Sequence, residues 1–175
     1  DNGQKFIFTN KHKKLFSKNG YLIIKNALSD KLCKKLNQKI KLLTRKELNK
    51  KNSYIYGSGK LLRIYHLIEK DKLFRDLLFH PIVTQFCNFA FKRDTLHEKY
   101  FLSSFHGNTL FPGAESQKLH VDVNLPNPLP NWMIRVNVNY IIHDYNEKNG
   151  ATVVVPKSHK KLISPTRLKK LKINK

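Results

Sequence analysis

The sequence predicts an α+β domain, with helices in its first part and a barrel or sandwich of strands in its second. Three observations carry this expectation. Residues 1–98 place apolar side chains at helical spacing behind capping residues. Residues 99–160 change to short β-rich runs separated by proline- and glycine-containing turns. The chain's 175 residues, 40% hydrophobic and 11% aromatic, are enough for one domain with a core and too apolar for a disordered chain. Helices followed by strands, rather than alternating with them, is the order of an α+β fold. Residues 161–175 read as a basic tail of the same single domain, 1–175.

The elements follow in order. Residues 9–18 form a short helix capped by Thr9 or Asn10, with Leu15 and Phe16 turned inward. Asn19-Gly20 ends it, because glycine accepts the left-handed conformation found past helix C-termini. Residues 21–25 (YLIIK) suit a strand. Ser29 or Asp30 caps a long helix reaching about Lys50, in which Leu32, Leu36, Ile40 and Leu43 recur on one face and lysines fill the other. Residues 52–60 read as a loop; its Gly57-Ser58-Gly59 lacks the strand-to-helix context of a phosphate-binding turn. Residues 71–79 are helical. His80-Pro81 breaks that helix, and Pro81 starts the next, through about Phe91; His80 is read as a capping or packing residue. Beyond it, strands are expected at 99–106, 118–123, 132–142 and 151–155, with a loop at 107–117 and a proline-rich loop at 124–131.

Composition narrows the function classes. The longest apolar runs are strand-sized, well short of the roughly 20 residues of a membrane span. No charged-then-apolar leader opens the chain. Cys33 and Cys87 make neither a CxxC pair nor a zinc spacing, and read as free thiols in a reducing compartment, hence a cytoplasmic location. The net charge of +22 admits a nucleic-acid partner. However, the basic residues are mostly lysine, with arginine only at 45, 63, 75, 93, 135 and 167. Bidentate phosphate and guanine recognition favours arginine, so the charge is read as AT-rich codon bias. A nucleic-acid-binding protein using its lysine-rich helix 29–50 is the rival reading.

One short motif carries chemistry. On a strand, residues two apart point to one face, so His120 and Asp122 present an imidazole and a carboxylate side by side. With a second histidine they would make the facial 2-His-1-carboxylate triad that holds iron(II) and leaves positions open. A surface strand with alternating polar residues gives the same pattern. Arg135, Asn137 and Asn139 also share one strand face, looking either into a barrel or into solvent.

The wider context resembles the phytanoyl-CoA dioxygenase family. The resemblance rests on the His120-Val121-Asp122 strand, the proline loop after it, and residues 144–160 (DYNEKNGATVVVPKSHK), where Lys157 stands at a usual glycine. FSKNGYLIIKNALS (16–29) and LFRDLLFHPIVTQFCNFAF (73–91) resemble the family's opening and its next helical pair. The resemblance implies a double-stranded β-helix, a jelly-roll relative, with helices packed on its major sheet. It implies an iron(II)- and 2-oxoglutarate-dependent dioxygenase using O2 to hydroxylate a small organic metabolite or acyl derivative. His120 and Asp122 would ligate the metal, and Asn139, Ser104 and Asn108 would touch the cosubstrate. By residue type alone His159 would complete a triad. The resemblance instead makes His159 a structural turn residue and puts the distal histidine and the cosubstrate's arginine in a later strand. Residues 161–175 contain no histidine, so both are expected beyond Lys175. The chain by itself is then expected to be inactive and C-terminally incomplete, with a sheet edge beside His120 and Asp122 left open or covered by residues 161–175 or by a partner. A non-catalytic relative with the same fold is the other alternative.

Overall fold

The computed structural model describes residues 6–92 and 100–165. Helix α1 (Asn10–Asn19) starts with a reciprocal cap. The Thr9 hydroxyl accepts from His12 N–H, and His12 Nδ1 accepts from Thr9 N–H. Such a cap satisfies donors that the first helical turn leaves free. At the other end Gly20 is left-handed (φ +83°) and donates to the Phe16 carbonyl at 2.8 Å. Ser29 caps α2 (Asp30–Leu48), and Asp71 caps α4 (Lys72–Leu78), which follows the single turn α3 (Leu67–Lys70). His80 Nδ1 accepts from Ile82 N–H at the start of α5 (Pro81–Lys92), and its ring lies edge-on to Tyr140. The capping and packing role read for His80 is thus what the structure shows.

The described residues contain one antiparallel sheet, in the order β1 (Ile55–Tyr56), β2 (Leu61–Ile64), β3 (Gly107–Leu110). On β2, Leu62 and Ile64 are wholly buried and join Leu36, Leu67, Phe74 and Leu77 in the core. Leu32, Ile40 and Leu43 of α2 pack against the same cluster. Helix α2 therefore covers one face of the sheet, and Thr44 on it bonds Thr109 of β3 at 2.9 Å. By strand alternation Arg63 takes the opposite face, level with Asn108 on β3. A second apolar cluster, Phe8, Phe16, Phe86 and Phe89, ties α1 to α5 through ring contacts.

Helices α1, α2, α4 and α5 lie where local spacing and caps place them, whereas the turn α3 was not expected and the strands lie elsewhere. The expected loop at 52–60 contains β1 and part of a hairpin turned by Gly57-Ser58-Gly59, all three at positive φ. The strand expected at 99–106 forms at 107–110, inside an expected loop; Lys99 itself lies outside the described residues. Segments 21–25, 118–123, 132–142 and 151–155 join no ladder among the described residues. The reason is physical: period-two alternation fixes which way side chains point, but a strand needs a hydrogen-bonding neighbour that periodicity does not supply. In 132–142 the side chains obey the alternation without a ladder. Tyr140 and Ile142 pack on the helical core, and the Tyr140 hydroxyl donates to the Leu77 carbonyl at 2.7 Å. Cys33 and Cys87 are free thiols, the latter buried. No helix among the described residues is long and apolar enough to cross a membrane. Residues 166–175, with Arg167 and most of the basic tail, lie outside the described residues.

Candidate metal centre

His120 and Asp122 do come together. His120 Nε2 stands 3.3 Å from Asp122 Oδ1, and both side chains are about half exposed (51% and 46%). The other imidazole nitrogen, Nδ1, lies 2.7 Å from the Lys118 carbonyl, to which it donates. A neutral imidazole with its proton on Nδ1 carries a lone pair on Nε2. That lone pair faces a carboxylate oxygen, an arrangement that a proton or a metal cation between them stabilises. The backbone-held Nδ1–H is the usual outer support of a metal-ligating histidine.

Asp122 is held from its other side. Asn137 Nδ2 donates to Asp122 Oδ2, leaving Oδ1 toward His120. Arg135 donates to the Asp122 carbonyl at 2.7 Å and to Ser103 Oγ at 2.6 Å. Arg135 and Asn137, on the polar face of 132–142, thus reach the His-x-Asp segment, while Arg135, Asn137 and Asn139 all stay exposed. Residues 120–127 and Ser164 line an open cleft of about 450 Å³ at this pair. Ser164 N–H donates to Asn127 Oδ1 at 2.9 Å, and Leu129 N–H to the Leu162 carbonyl at 2.6 Å. Residues 162–164 therefore lie along the proline loop, and Ser164 lines the cleft. The sheet edge expected beside this pair does not form among the described residues, because 118–123 joins no ladder there.

Comparison with known sequences resolves the affiliation. The family model for phytanoyl-CoA dioxygenase matches residues 16–171. The chain belongs to the phytanoyl-CoA dioxygenase family. Relatives within reach of this family carry the name dioxygenase. Dioxygenase af480 of Aspergillus fumigatus is 33% identical over 101 residues, covering 57% of this chain and 31% of that protein. Dioxygenase FUM3 of Gibberella moniliformis is 27% identical over 164 residues, covering 83% of this chain and 53% of that protein. The chain thus spans about half, or less, of the length of these relatives. No solved structure matches it significantly.

Against the family's three-ligand pattern, the described residues hold no group of three His, Cys, Asp or Glu side chains suited to a metal. His159 sits elsewhere: its Nε2 donates to the Ser17 carbonyl at 3.2 Å, and its ring lies against Gly20. Lys157 N–H donates to the Asn19 carbonyl at 2.8 Å, so the whole 157–160 turn docks on the end of α1. His143 Nδ1 meets the Asp144 carbonyl. Of the residues expected to touch cosubstrate, Asn108 accepts from Arg63 Nε at 3.1 Å, while Ser104 and Asn139 are exposed. Three participants went unassigned in the sequence: Asn137 and Arg135, whose shared strand face was the available signal, and Ser103, for which there was none.

Proposed function

We propose that this protein is an iron(II)- and 2-oxoglutarate-dependent dioxygenase that hydroxylates a small organic metabolite or acyl derivative. The observation that carries the reading is the His120–Asp122 pair, its two donor atoms 3.3 Å apart and each supported from behind. Two donors at right angles, each about 2.1 Å from one ion, lie about 3 Å apart. The donor set, one imidazole and one carboxylate, suits iron(II) and is poor for soft metals. Bound there, iron would couple oxidative decarboxylation of 2-oxoglutarate to insertion of one oxygen atom of O2 into a C–H bond.

The chain's own residues do the positioning. Lys118 fixes the His120 tautomer so that Nε2 is free to ligate. Asn137 keeps one carboxylate oxygen of Asp122 occupied, which turns the other toward the metal position. Arg135 anchors the Asp122 backbone to Ser103 and so ties the His-x-Asp segment to the segment before β3. Asn108, Ser104 and Asn139 are proposed cosubstrate contacts. The α2-backed sheet is proposed as part of a double-stranded β-helix whose inner face is the one opposite α2. The family's third ligand is not among the three-residue groupings of the described residues; its position is proposed to lie outside them, not at His159.

The test is 2-oxoglutarate decarboxylation by the protein as the cell makes it, with succinate as the readout. Turnover that needs iron(II) and disappears in Asp122→Ala supports the reading. Iron-independent turnover, or full turnover in Asp122→Ala, refutes it.

A further inference from the structure

Helix α2 turns Leu36, Ile40, Leu43 and Thr44 inward and leaves its other face to solvent. That outer face carries one sign of charge. Lys31, Lys34, Lys35, Lys41, Arg45 and Lys46 are all exposed. At about 100° and 1.5 Å per residue they fall in one arc of about 140°, a stripe about 22 Å long. No acid lies within it. The helix has two acids, Asp30 at its start and the half-buried Glu47 at its end, where Glu47 holds Lys50 and Lys70. Lys39, off the stripe, meets Asp71. None of the six stripe residues forms an ion pair among the described residues. Lys31 with Lys35, and Lys41 with Arg45, are like charges four residues apart, an unfavourable spacing on an isolated helix. Codon bias raises the number of lysines along the whole chain; it does not clear one helix face of acids.

Two features favour a bilayer over a nucleic acid as the matching anionic surface. First, lysine predominates in the stripe, with Arg45 its one arginine. Ammonium groups are point charges without the fork that paired contacts to phosphate use. Second, Leu42 lies on the midline of the stripe and is 52% exposed. Against a phosphate backbone this leucine would have no apolar partner. At a bilayer it enters the boundary between headgroups and acyl chains, while the lysine stems lie beside it and keep their charges at the lipid phosphates.

We infer that the outer face of α2 docks on the surface of an anionic lipid bilayer, with the helix lying in the membrane plane. The sheet stays packed on the inner face, so docking requires no unfolding of α2. Lipid phosphates remove the repulsion between the like charges, and each basic residue near such a surface contributes about fivefold to binding. The docking does not depend on the metal centre: it concerns where the protein sits, and either claim can fail alone.

The experiment is co-sedimentation of the protein with vesicles of phosphatidylcholine containing about one-third phosphatidylserine, and with vesicles of phosphatidylcholine alone. The wild type should bind the anionic vesicles only, and leave them in about 1 M salt, where charges are screened within about 3 Å. Replacing three stripe residues together (Lys34→Gln, Lys35→Gln and Lys41→Gln) should weaken binding about a hundredfold. Leu42→Ser should weaken it about tenfold. Removing three exposed charges from α1 instead (Lys11→Gln, Lys14→Gln and Lys18→Gln) gives the same net charge and should weaken binding less than about threefold. Equal loss in the two triple variants, or no preference of the wild type for anionic vesicles, overturns the inference. A DNA duplex titrated in parallel tests the other polyanion: tighter binding to it than to the vesicles, unchanged by Leu42→Ser, also overturns it. Should the α2 variant unfold, acetylation of wild-type lysines decides. Vesicles should protect Lys34, Lys35 and Lys41 but not Lys11 and Lys14; equal protection of both sets, or of neither, contradicts the docking.

Discussion

Replacing Gly20 with alanine tests the docking of the 157–160 turn, and with it the structural role of His159. Gly20 sits at φ +83°, where an L-residue other than glycine is disfavoured by about 1–2 kcal/mol. An added Cβ would also collide with the His159 imidazole. Relief requires the ring to leave, which gives up its bond to the Ser17 carbonyl and strains the Lys157–Asn19 backbone bond. Each such bond contributes about 1 kcal/mol net. Gly20→Ala should therefore cost about 3–4 kcal/mol in the natural background, from the backbone and contact contributions together. In a His159→Ala background the collision and the ring's bond are already gone, and the same substitution should cost only the backbone share, about 1–2 kcal/mol. His159→Ala alone should cost about 1 kcal/mol. Urea unfolding of the four proteins, followed by circular dichroism, gives the cycle. Equal cost of Gly20→Ala in both backgrounds would refute the docking.

Other outcomes follow from the core and its histidines. Tyr140→Phe removes the donor to the Leu77 carbonyl from a largely buried site and should cost about 1–2 kcal/mol by urea unfolding, with little change in the slope. Burial holds the pKa of His80, and burial with Arg63 that of His106, below the ordinary 6.5. As pH falls, the unfolded chain binds these protons before the folded chain does. Stability should therefore be full above about pH 6.5 and decline below it toward the folded-state values. His80→Gln should flatten that decline, and a thermal-melt series from pH 7.5 to 5 measures it. A steeper decline in His80→Gln would contradict the assignment.

What the sequence made legible was local. Helix α2 could be read because Ser29 caps it and Leu32, Leu36, Ile40 and Leu43 all lie within the segment. The His120–Asp122 pair was equally readable, being two residues apart on one short segment. Pairing was not readable. Nothing in Leu61–Ile64 announces that Gly107–Leu110 is its partner, because that register is set by contacts more than forty positions away in the chain. The same holds for Arg135 reaching Ser103 and for residues 162–164 reaching the proline loop. The alternation in 132–142 foretold the side-chain directions of Tyr140 and Asn137 correctly, yet not the absence of a ladder. For His159 the residue types alone suggested a ligand, and the family resemblance, in agreement with the turn chemistry of Ser158-His159 after Pro156, made it a structural residue. The structure gives the physical reason, a ring seated against a left-handed glycine at the end of α1.

The account's central claim is that His120 and Asp122 hold the metal and His159 does not. Manganese(II), an oxygen-stable stand-in for iron(II), reports this directly by electron paramagnetic resonance titration of the protein and three alanine variants. The account predicts that His120→Ala and Asp122→Ala each weaken metal binding at least tenfold, as loss of a ligand should. His159→Ala should bind as the natural protein does. Metal binding lost equally in His159→Ala, or retained in both His120→Ala and Asp122→Ala, would contradict it.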